Sequence, residues 1–347
     1  MESVLIAVTR FSKIYREDDR AVKTTTLSST IKPHDCRVEL SVLKQLQKER
    51  DSHVIQLYDN YVKLDTMFLV FPYYEQNLYQ YMLTQFKKKR KNMYLLSDED
   101  GKENGDEEFK LINKMDINHA IDFIKQLSQA LRFVHSHRII HRDLKPQNVM
   151  VDTSHKTRIP QLVLTDFGIA YDTKHPQEPP DDKITDVSTS IYKAPELLFS
   201  VKNYSAKIDV WSLLVLGSQF FQRGSQNDNG LIPAFLDDGT DELDEGSDIR
   251  LIMSIFQQLG IPKAEEWPEV RDYGSPAFEG MFGSNGDGGY IATKDEAEQH
   301  EKIMELFPRL TEIEGPMKNK LVTCFSRMIP FESTKRISSD QLVQLLS

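Results

Sequence analysis

The residues from His141 to Asn148 read HRDLKPQN and bring a carboxylate, an ammonium and an amide oxygen into one short stretch. Asp143 can accept the proton of a hydroxyl group, Lys145 can neutralise negative charge, and Asn148 can ligate a divalent cation. Together these groups have the chemistry needed to transfer a phosphoryl group onto a hydroxyl. A chance match to all eight residues, between a helix pattern and a strand pattern, would be rare. This stretch is therefore the candidate catalytic loop.

A second carboxylate follows at the end of a short apolar segment. Residues 161–165 read QLVLT, the pattern of a buried strand, and Asp166-Phe167-Gly168 closes it. Asp166 is suited to bind a magnesium ion that bridges nucleotide phosphates. Further on lie Ala194-Pro195-Glu196 and the sequence IDVWS at 208–212. In this order the motifs resemble those of the protein kinase family, and the resemblance implies ATP and Mg²⁺ as cofactors.

The length of 347 residues suits one catalytic unit of two lobes and little more. Strand patterns occupy much of the first part of the chain and cover Val4–Val8, Phe11–Tyr15, Ala21–Lys23, Val54–Tyr61 and Thr66–Phe71. Amphipathic helices are indicated at Pro33–Gln47 and Asn118–His135. We predict a single α+β domain over 1–347 with the bilobal protein kinase fold: a β-rich N-lobe at 1–71, an interlobe hinge at 72–76 and a helical C-lobe at 77–347.

The net charge and the cysteine content argue against several classes of ligand and indicate the cellular compartment. A net charge of −10 argues against non-specific binding to nucleic acid or to a membrane surface. Cys36 and Cys324 are the only cysteines, and their wide separation argues against a disulfide framework or zinc site and for a reducing compartment. The N-terminus lacks the basic start of a signal peptide, and the apolar run Val210–Phe221 is too short to span a bilayer. We therefore expect a cytoplasmic location, with the nucleus as an additional location.

One charged insertion interrupts the C-lobe pattern. Residues 87–113 contain KKKRK followed by the acidic sequence SDEDGKENGDEE. The segment is poor in apolar residues, so we predict a mobile surface insertion. Its basic cluster has two interpretations, a nuclear-import signal or a solvated helix end, of which the second is the more common.

The resemblance also assigns residues to the nucleotide. Lys23, in the triplet Ala-Val-Lys, would contact the phosphates, and Glu39 on the following helix is its expected partner, with Glu49 as the alternative. The residues expected around the adenine ring come from both lobes and are Ile14, Ala21, Phe71, Pro72, Tyr74 and Met150. Proline is acceptable at its position because the family uses the carbonyl there, and Tyr74 would supply a backbone N–H and C=O.

The segment that aligns with the family's glycine-rich loop contains no glycine. Ala7, Thr9 and Ser12 stand at the three glycine positions. Glycine lets backbone N–H groups approach the phosphates closely and tolerates unusual dihedral angles. We therefore expect a stiffer flap. Because Lys23 and Mg²⁺ would still neutralise the phosphates, we expect altered nucleotide handling rather than loss of catalysis.

Further residues indicate the kinase group. Lys145 and Thr189 are typical of serine/threonine kinases, in which that threonine contacts the catalytic aspartate and lysine. The sequences HSHR at 135–138, SDIR at 247–250 and KRIS at 335–338 resemble those of cyclin-dependent kinases. In such kinases the arginine of the last segment, here Arg336, pairs with the residue that is Glu196 in this chain.

Three features depart from an ordinary cyclin-dependent kinase. The helix that would bind a cyclin begins PHDCRVE at 33–39 and keeps only the first and last residues of PSTAIRE. Ile184 stands five residues before Thr189, where an activating threonine or serine is expected. Lys193 replaces an arginine that helps to select proline after the target residue. With the glycine-free flap, these features resemble the monomeric CDK-activating kinases of budding yeasts.

That resemblance implies a cyclin-independent, monomeric serine/threonine kinase. Its substrates would be cyclin-dependent kinases, phosphorylated on an activation-loop threonine that proline does not follow. Two alternatives stay open: a pseudokinase scaffold, motivated by the missing glycines, and a cyclin-requiring kinase of the same group. Arg142, beside the catalytic aspartate, normally pairs with an activating phosphate. In its absence we expect Asp182 or Asp186 to take that place, with a shifted phosphosite at Thr185 as the alternative.

Overall fold

The computed structural model describes residues 3–28, 31–90, 109–154, 159–225, 231–237 and 246–347. The strands are β1 (Val4–Val8), β2 (Lys13–Glu17), β3 (Arg20–Thr26), β4 (Asp59–Lys63), β5 (Thr66–Pro72), β6 (Gln76–Asn77), β7 (Phe86–Arg90), β8 (Phe109–Asn113), β9 (Ile139–Ile140), β10 (Val149–Asp152), β11 (Gln161–Leu164), β12 (Tyr171–Asp172) and β13 (Gly224–Ser225). The helices are α1 (Cys36–Leu46), α2 (Leu78–Thr84), α3 (Ile117–Ser136), α4 (Pro195–Leu198), α5 (Lys207–Phe220), α6 (Asp248–Leu259), α7 (Pro268–Tyr273), α8 (Ala277–Phe282), α9 (Glu296–Leu306), α10 (Pro316–Met328) and α11 (Ser339–Leu346).

The N-terminal lobe is an antiparallel sheet in the order β1-β2-β3-β5-β4, with α1 as its main helix. The side chain of Asp35 caps α1 by accepting a hydrogen bond from the N–H of Arg37, 2.8 Å away. Helical spacing turns Val42, Leu43 and Leu46 into the core. Glu39 lies one turn before Leu43 on the same face, so the packing of this apolar stripe also buries its carboxylate.

The chain leaves the first sheet at the end of β5 and enters a small sheet of the C-terminal lobe at β6. This second sheet has the order β11-β10-β6, and Met150 pairs with Asn77. The candidate catalytic loop connects β9 to β10, and Asp166 lies two residues after the end of β11. Because Val149 at the start of β10 pairs with Leu164 at the end of β11, both functional stretches lie at the same end of this small sheet.

Most of the regular secondary structure described in the C-terminal lobe is helical, and α5 lies in its interior. Every residue from Ile208 to Phe220 is buried, and α3 packs against both α5 and α11. A mixed β and helical N-terminal lobe with a helical C-terminal lobe confirms the predicted α+β class. In the described parts of the chain, no helix is long and apolar enough to cross a membrane.

Two predicted elements are wrong. The strand predicted at Val54–Tyr61 begins only at Asp59. Its first residues instead bond to β11, because the N–H of Ile55 donates to Leu164 O at 2.9 Å and the N–H of Leu164 donates to His53 O at 2.8 Å. Their hydrogen bonds are thus satisfied by the other lobe.

The flanks of the charged insertion also differ from the prediction of an unstructured segment. The basic residues Lys87–Arg90 belong to β7, which pairs with β8 from Phe86–Asn113 to Arg90–Phe109. The basic cluster is therefore a strand and not a helix end. The remainder of the predicted insertion, 91–108, lies outside the described residues.

We predict that Arg336→Met lowers the free energy of unfolding of the C-terminal lobe by about 3–5 kcal/mol, because it leaves a buried carboxylate without its partner. Arg336 donates from Nη1 and Nη2 to the two oxygens of Glu196 at 2.7 and 2.9 Å, and both side chains are wholly buried. Urea unfolding followed by tryptophan fluorescence measures this, since Trp211 and Trp267 both lie in that lobe.

The matched control is Arg271→Met, which breaks an exposed pair with Asp272. Exposed pairs contribute little to stability, so the free energy of unfolding of this variant should stay close to that of the unaltered chain. Equal losses in the two variants would contradict a special role for the buried pair.

Candidate active site

Asp143 forms a hydrogen-bonded cluster with two other predicted residues, Lys145 and Thr189. Thr189 donates from Oγ1 to Asp143 Oδ1 at 2.7 Å, and Lys145 Nζ donates to the same threonine hydroxyl at 2.7 Å. Lys145 Nζ also lies 3.0 Å from Asp143 Oδ2. The structure thus brings together a proton acceptor and a cation from the catalytic loop with a hydroxyl from the segment before Ala194.

The catalytic loop is held in its shape by a buried carboxylate from α5. Asp209 accepts hydrogen bonds from the N–H groups of His141 and Arg142 at 2.8 and 2.9 Å, and it contacts His135 Nε2 at 2.8 Å. Arg142 has a φ of 70°, a conformation that side chains with a Cβ seldom adopt. Such strain persists only where the surroundings enforce it, and here it turns the chain so that Asp143 faces the cleft.

Lys23 joins the two lobes electrostatically. Its Nζ donates to Glu39 Oε1 at 2.7 Å and to Asp166 Oδ1 at 2.8 Å. Burial alone would lower the pKa of Lys23, but the two carboxylates outweigh it and raise that pKa above its ordinary value. Burial would raise the pKa of Asp166, yet the ammonium of Lys23 holds it well below its usual range. Asp166 is therefore an anion at neutral pH.

Gly168 leaves room for this charged cluster. A Cβ at that position would lie 3.1 Å from Asp166 Oδ1 and 3.5 Å from Lys23 Nζ. Asp166 itself has a φ of 61°. The close approach explains why the residue two positions after the carboxylate is glycine.

The donor atoms present fit Mg²⁺. Asn148 Nδ2 donates to the backbone oxygen and to Oδ2 of Asp143, both at 2.8 Å, which leaves the amide oxygen of Asn148 as a ligand beside the ionised Asp166. Among the described residues, no three His, Cys, Asp or Glu side chains form a metal-binding group. Mg²⁺ suits such a site, because it is commonly held by one or two protein ligands together with phosphate oxygens and water.

The residues predicted to surround the nucleotide line one cavity of about 530 Å³ between the lobes. They share its walls and are Ala7, Thr9, Ser12, Ile14, Ala21, Lys23, Glu39, Phe71, Pro72, Tyr74, Asn148, Met150 and Asp166. A second cavity of about 800 Å³ shares Lys23, Lys145 and Asp166 with the first and adds Asp143. The cleft can thus hold a nucleotide on one side and a phosphoryl acceptor on the other.

The glycine-free flap between β1 and β2 is closed by its own hydroxyl groups. Thr9 Oγ1 accepts from the N–H of Ser12 at 3.0 Å and from the N–H of Phe11 at 3.3 Å. The N–H of Thr9 donates to Ser12 O at 2.8 Å. Three backbone N–H donors of the turn are therefore used within the turn. These internal hydrogen bonds restrict the flap and account for the stiffness expected from Thr9 and Ser12.

Two expectations about partners were wrong. Glu49 is exposed and lies 3.9 Å from His137, so the alternative partner for Lys23 is excluded. Asp182 pairs with Lys202 and Asp186 with Lys193, and neither contacts Arg142.

Arg142 instead binds Glu178, which the sequence interpretation missed. No motif spacing singles out this residue. The sequence offers one indirect indication of such a partner. A buried Arg142 requires an anion, and the segment after Gly168 can supply it.

The fold and site define a two-lobed phosphotransferase with an interlobe nucleotide cleft. The family model "Protein kinase domain" matches residues 7–345, and the chain belongs to the protein kinase family. The predicted family and its bilobal fold are thereby confirmed.

Curated relatives agree with this assignment. The chain is 40% identical to the serine/threonine-protein kinase CAK1 of Saccharomyces cerevisiae, over 99% of this chain and 96% of that protein. It is 30% identical to the serine/threonine-protein kinase csk1 of Schizosaccharomyces pombe, over 56% of this chain and 53% of that protein. It is 32% identical to the human serine/threonine-protein kinase MAK, over 67% of this chain and 29% of that protein. The predicted similarity to a budding-yeast kinase is thus confirmed.

We predict that the triple variant Ala7→Gly/Thr9→Gly/Ser12→Gly lowers the KM for ATP by about threefold to tenfold. The change releases N–H donors from the turn and removes the Cβ atoms, so the backbone can bind the phosphates more closely. A hydrogen bond to a charged group contributes about 1.5–3 kcal/mol, which is enough for such a shift. Initial rates at varied ATP concentrations give the KM.

The control is Ser154→Gly, which introduces glycine in an exposed loop of the C-terminal lobe. Its KM for ATP should equal that of the unaltered chain. An unchanged or higher KM in the triple variant would show that the hydroxyl-closed turn does not limit phosphate binding.

Proposed function

We propose that this chain is an ATP- and Mg²⁺-dependent serine/threonine kinase that phosphorylates the activation-loop threonine of cyclin-dependent kinases without a cyclin. One observation carries the proposal: within a single chain, Lys23 already donates hydrogen bonds to both Glu39 and Asp166. Protein kinases need this arrangement for activity, and cyclin-dependent kinases obtain it from a partner. The 40% identity with CAK1 over nearly the full length adds support.

The proposed reaction uses each residue for one task. Asp143 accepts the proton of the substrate hydroxyl, and Lys145 neutralises charge on the phosphoryl group as it moves. Lys23 holds the nucleotide phosphates, while Asn148 and Asp166 would hold Mg²⁺, which neutralises phosphate charge when bound. Because Thr189 bridges Asp143 and Lys145, it keeps both side chains oriented toward the acceptor.

Contacts at both ends of α1 support independence from a cyclin. Near its C-terminal end, Gln45 Nε2 donates to His137 O at 2.6 Å, which ties the helix to the end of α3. Before its N-terminal end, the ring of His34 stacks on Phe11 of the flap, with ring centroids 3.7 Å apart. These contacts hold α1 where Glu39 reaches Lys23, a task that a cyclin performs in other kinases.

The surroundings of Lys193 support substrates without proline after the target residue. Its Nζ lies 3.2 Å from Asp248 and 3.4 Å from Asp186. The ammonium is thus engaged by carboxylates, and a proline-selecting arginine contact is absent from this position. We propose a target threonine followed by a residue other than proline.

The proposal extends to the state and location of the protein. Cys36 and Cys324 are both free and buried, which suits a reducing compartment. We propose that the chain acts as a monomer in the cytoplasm, with the nucleus as a second location.

We predict that the purified chain alone transfers phosphate from ATP to the activation-loop threonine of a catalytically inactive cyclin-dependent kinase. Asp143→Asn should reduce the rate by about 10²–10⁴-fold, because the proton acceptor is lost. Asp166→Asn should have a comparable effect through loss of the metal ligand. Mass spectrometry of the substrate kinase identifies the modified threonine, and assays with and without added cyclin test independence.

Three outcomes would contradict this function. Nucleotide binding without transfer to any protein would favour the pseudokinase scaffold. Transfer only after a cyclin is added would favour the cyclin-requiring alternative. Phosphorylation of a threonine–proline site in place of the activation-loop threonine would exclude the proposed substrate class.

We predict that Gln45→Ala lowers kcat of the isolated chain by about threefold to tenfold, since one hydrogen bond to a backbone oxygen contributes about 0.5–1.5 kcal/mol. Loss of this bond loosens α1, while the nucleotide cavity keeps its lining. Steady-state assays with the same substrate kinase provide kcat. Lys44→Ala, on the exposed face of the same helix, is the matched control and should leave kcat unchanged. Equal values for all three proteins would show that the contact with His137 does not position α1.

A further inference from the structure

Arg142 is buried deeply enough to require an anion. Only 2% of its side chain is exposed, and its neighbour in the chain is the catalytic Asp143. An unpaired guanidinium in such a place is strongly destabilising, so the carboxylate or phosphate that meets it becomes part of the catalytic loop's support.

Glu178 meets Arg142 with both carboxylate oxygens. Arg142 Nη2 donates to Oε1 at 2.9 Å, and Nη1 donates to Oε2 at 3.1 Å. This bidentate geometry is the strongest arrangement available to an arginine–carboxylate pair. The glutamate side chain is 7% exposed. Burial opposes its ionisation, but the hydrogen bonds from Arg142 lower the pKa of Glu178 below its ordinary value, so it is charged at neutral pH.

The carboxylate of Glu178 contacts the backbone of the position at which an activating phosphothreonine is expected. The N–H of Ile184 donates to Glu178 Oε2 at 2.7 Å. Ile184 is the residue five positions before Thr189, where the related kinases carry the activating threonine. An anion is therefore present at this position, but it belongs to Glu178, six residues before Ile184 in the same segment.

The same network anchors the whole segment between Gly168 and Ala194. Arg142 Nε donates to Ile169 O at 2.6 Å, and the hydroxyl of Tyr171 donates to Glu178 O at 3.1 Å. Tyr204 accepts from Arg142 Nη1 at 2.9 Å and donates to Ile184 O at 2.8 Å. One guanidinium thus fixes the start and the middle of the segment.

The network also reaches the catalytic residues. Ser188 donates from Oγ to the backbone oxygen of Arg142 at 2.7 Å. The next residue, Thr189, donates to Asp143. The position of Arg142 consequently determines the position of the catalytic loop and also that of the end of the segment, at Ser188 and Thr189.

We propose that Glu178 is a permanent internal substitute for an activating phosphate, which keeps Asp143 and Thr189 in place without phosphorylation of the chain's own activation segment. This inference rests on the proposed kinase function and adds its regulation. Glu178 is a positioning residue, since it acts through Arg142 and does not touch the reacting atoms.

The experiment compares Glu178→Gln with the unaltered chain, both treated with a broad-specificity phosphatase that is then removed. Mass spectrometry verifies that residues 168–194 carry no phosphate. The substrate is a degenerate serine/threonine peptide mixture, so failure of the cyclin-dependent-kinase assignment would leave this test intact. We expect the treated, unaltered chain to keep its full activity. Glu178→Gln should lose at least about tenfold in kcat with little change in the KM for ATP, because misplacement by about 1 Å can cost 10²-fold.

A second variant distinguishes loss of the positioning role of Glu178 from a general folding defect. In the Glu178→Gln background, Ile184→Glu returns a carboxylate to the same neighbourhood, and it should restore at least half of the lost kcat. The control Asp182→Asn removes an exposed carboxylate of the same segment and should leave kcat within about twofold.

Two results would overturn the proposal. One is full kcat in phosphate-free Glu178→Gln. The other is loss of activity in the unaltered chain on phosphatase treatment, with a phosphate mapped to residues 168–194 before treatment. The second result is decisive even if Glu178→Gln fails to fold.

Discussion

The ammonium of Lys23 is shared by two carboxylates, and the remainder of the cleft is arranged around that shared charge. Glu39 comes from the main helix of the N-terminal lobe and Asp166 from the end of a C-terminal-lobe strand, so one cation ties the lobes together. Because the ammonium of Lys23 holds the pKa of Asp166 well below its usual range, Asp166 is suited to receive a cation brought with a nucleotide, while Glu39 keeps the lysine aimed at the phosphates.

Buried charged residues also join distant parts of the chain within the C-terminal lobe. Asp209 fixes the amides of His141 and Arg142, and Arg336 fixes Glu196. Each contact joins residues that are far apart in the chain. Breaking such a pair leaves an uncompensated charge in the interior, so these contacts specify one arrangement of loops more strictly than apolar packing alone. The catalytic loop can therefore adopt a strained conformation without losing its position.

Much of this organisation could be predicted from local patterns and motifs. Asp143, Lys145 and Asn148 lie within one octapeptide, and the lining of the nucleotide cavity follows from the motif positions. The errors concern segments whose hydrogen bonds are made over long distances in sequence. Residues near Val54 bond to β11, and the basic residues of β7 pair with β8, which begins only at Phe109, so local composition misled in both cases. The pairing of Glu178 with Arg142 could not be predicted from the sequence, because it depends on tertiary geometry alone.

The glutamate beneath the catalytic loop has a consequence for how such a protein is controlled. A phosphate can be added and removed, whereas a carboxylate built into the chain persists for the lifetime of the molecule. An enzyme supported in this way has no reversible switch at that position. Its output in a cell then follows the number of molecules made and degraded and the supply of substrate, so it acts as a constant source whose timing is imposed by others.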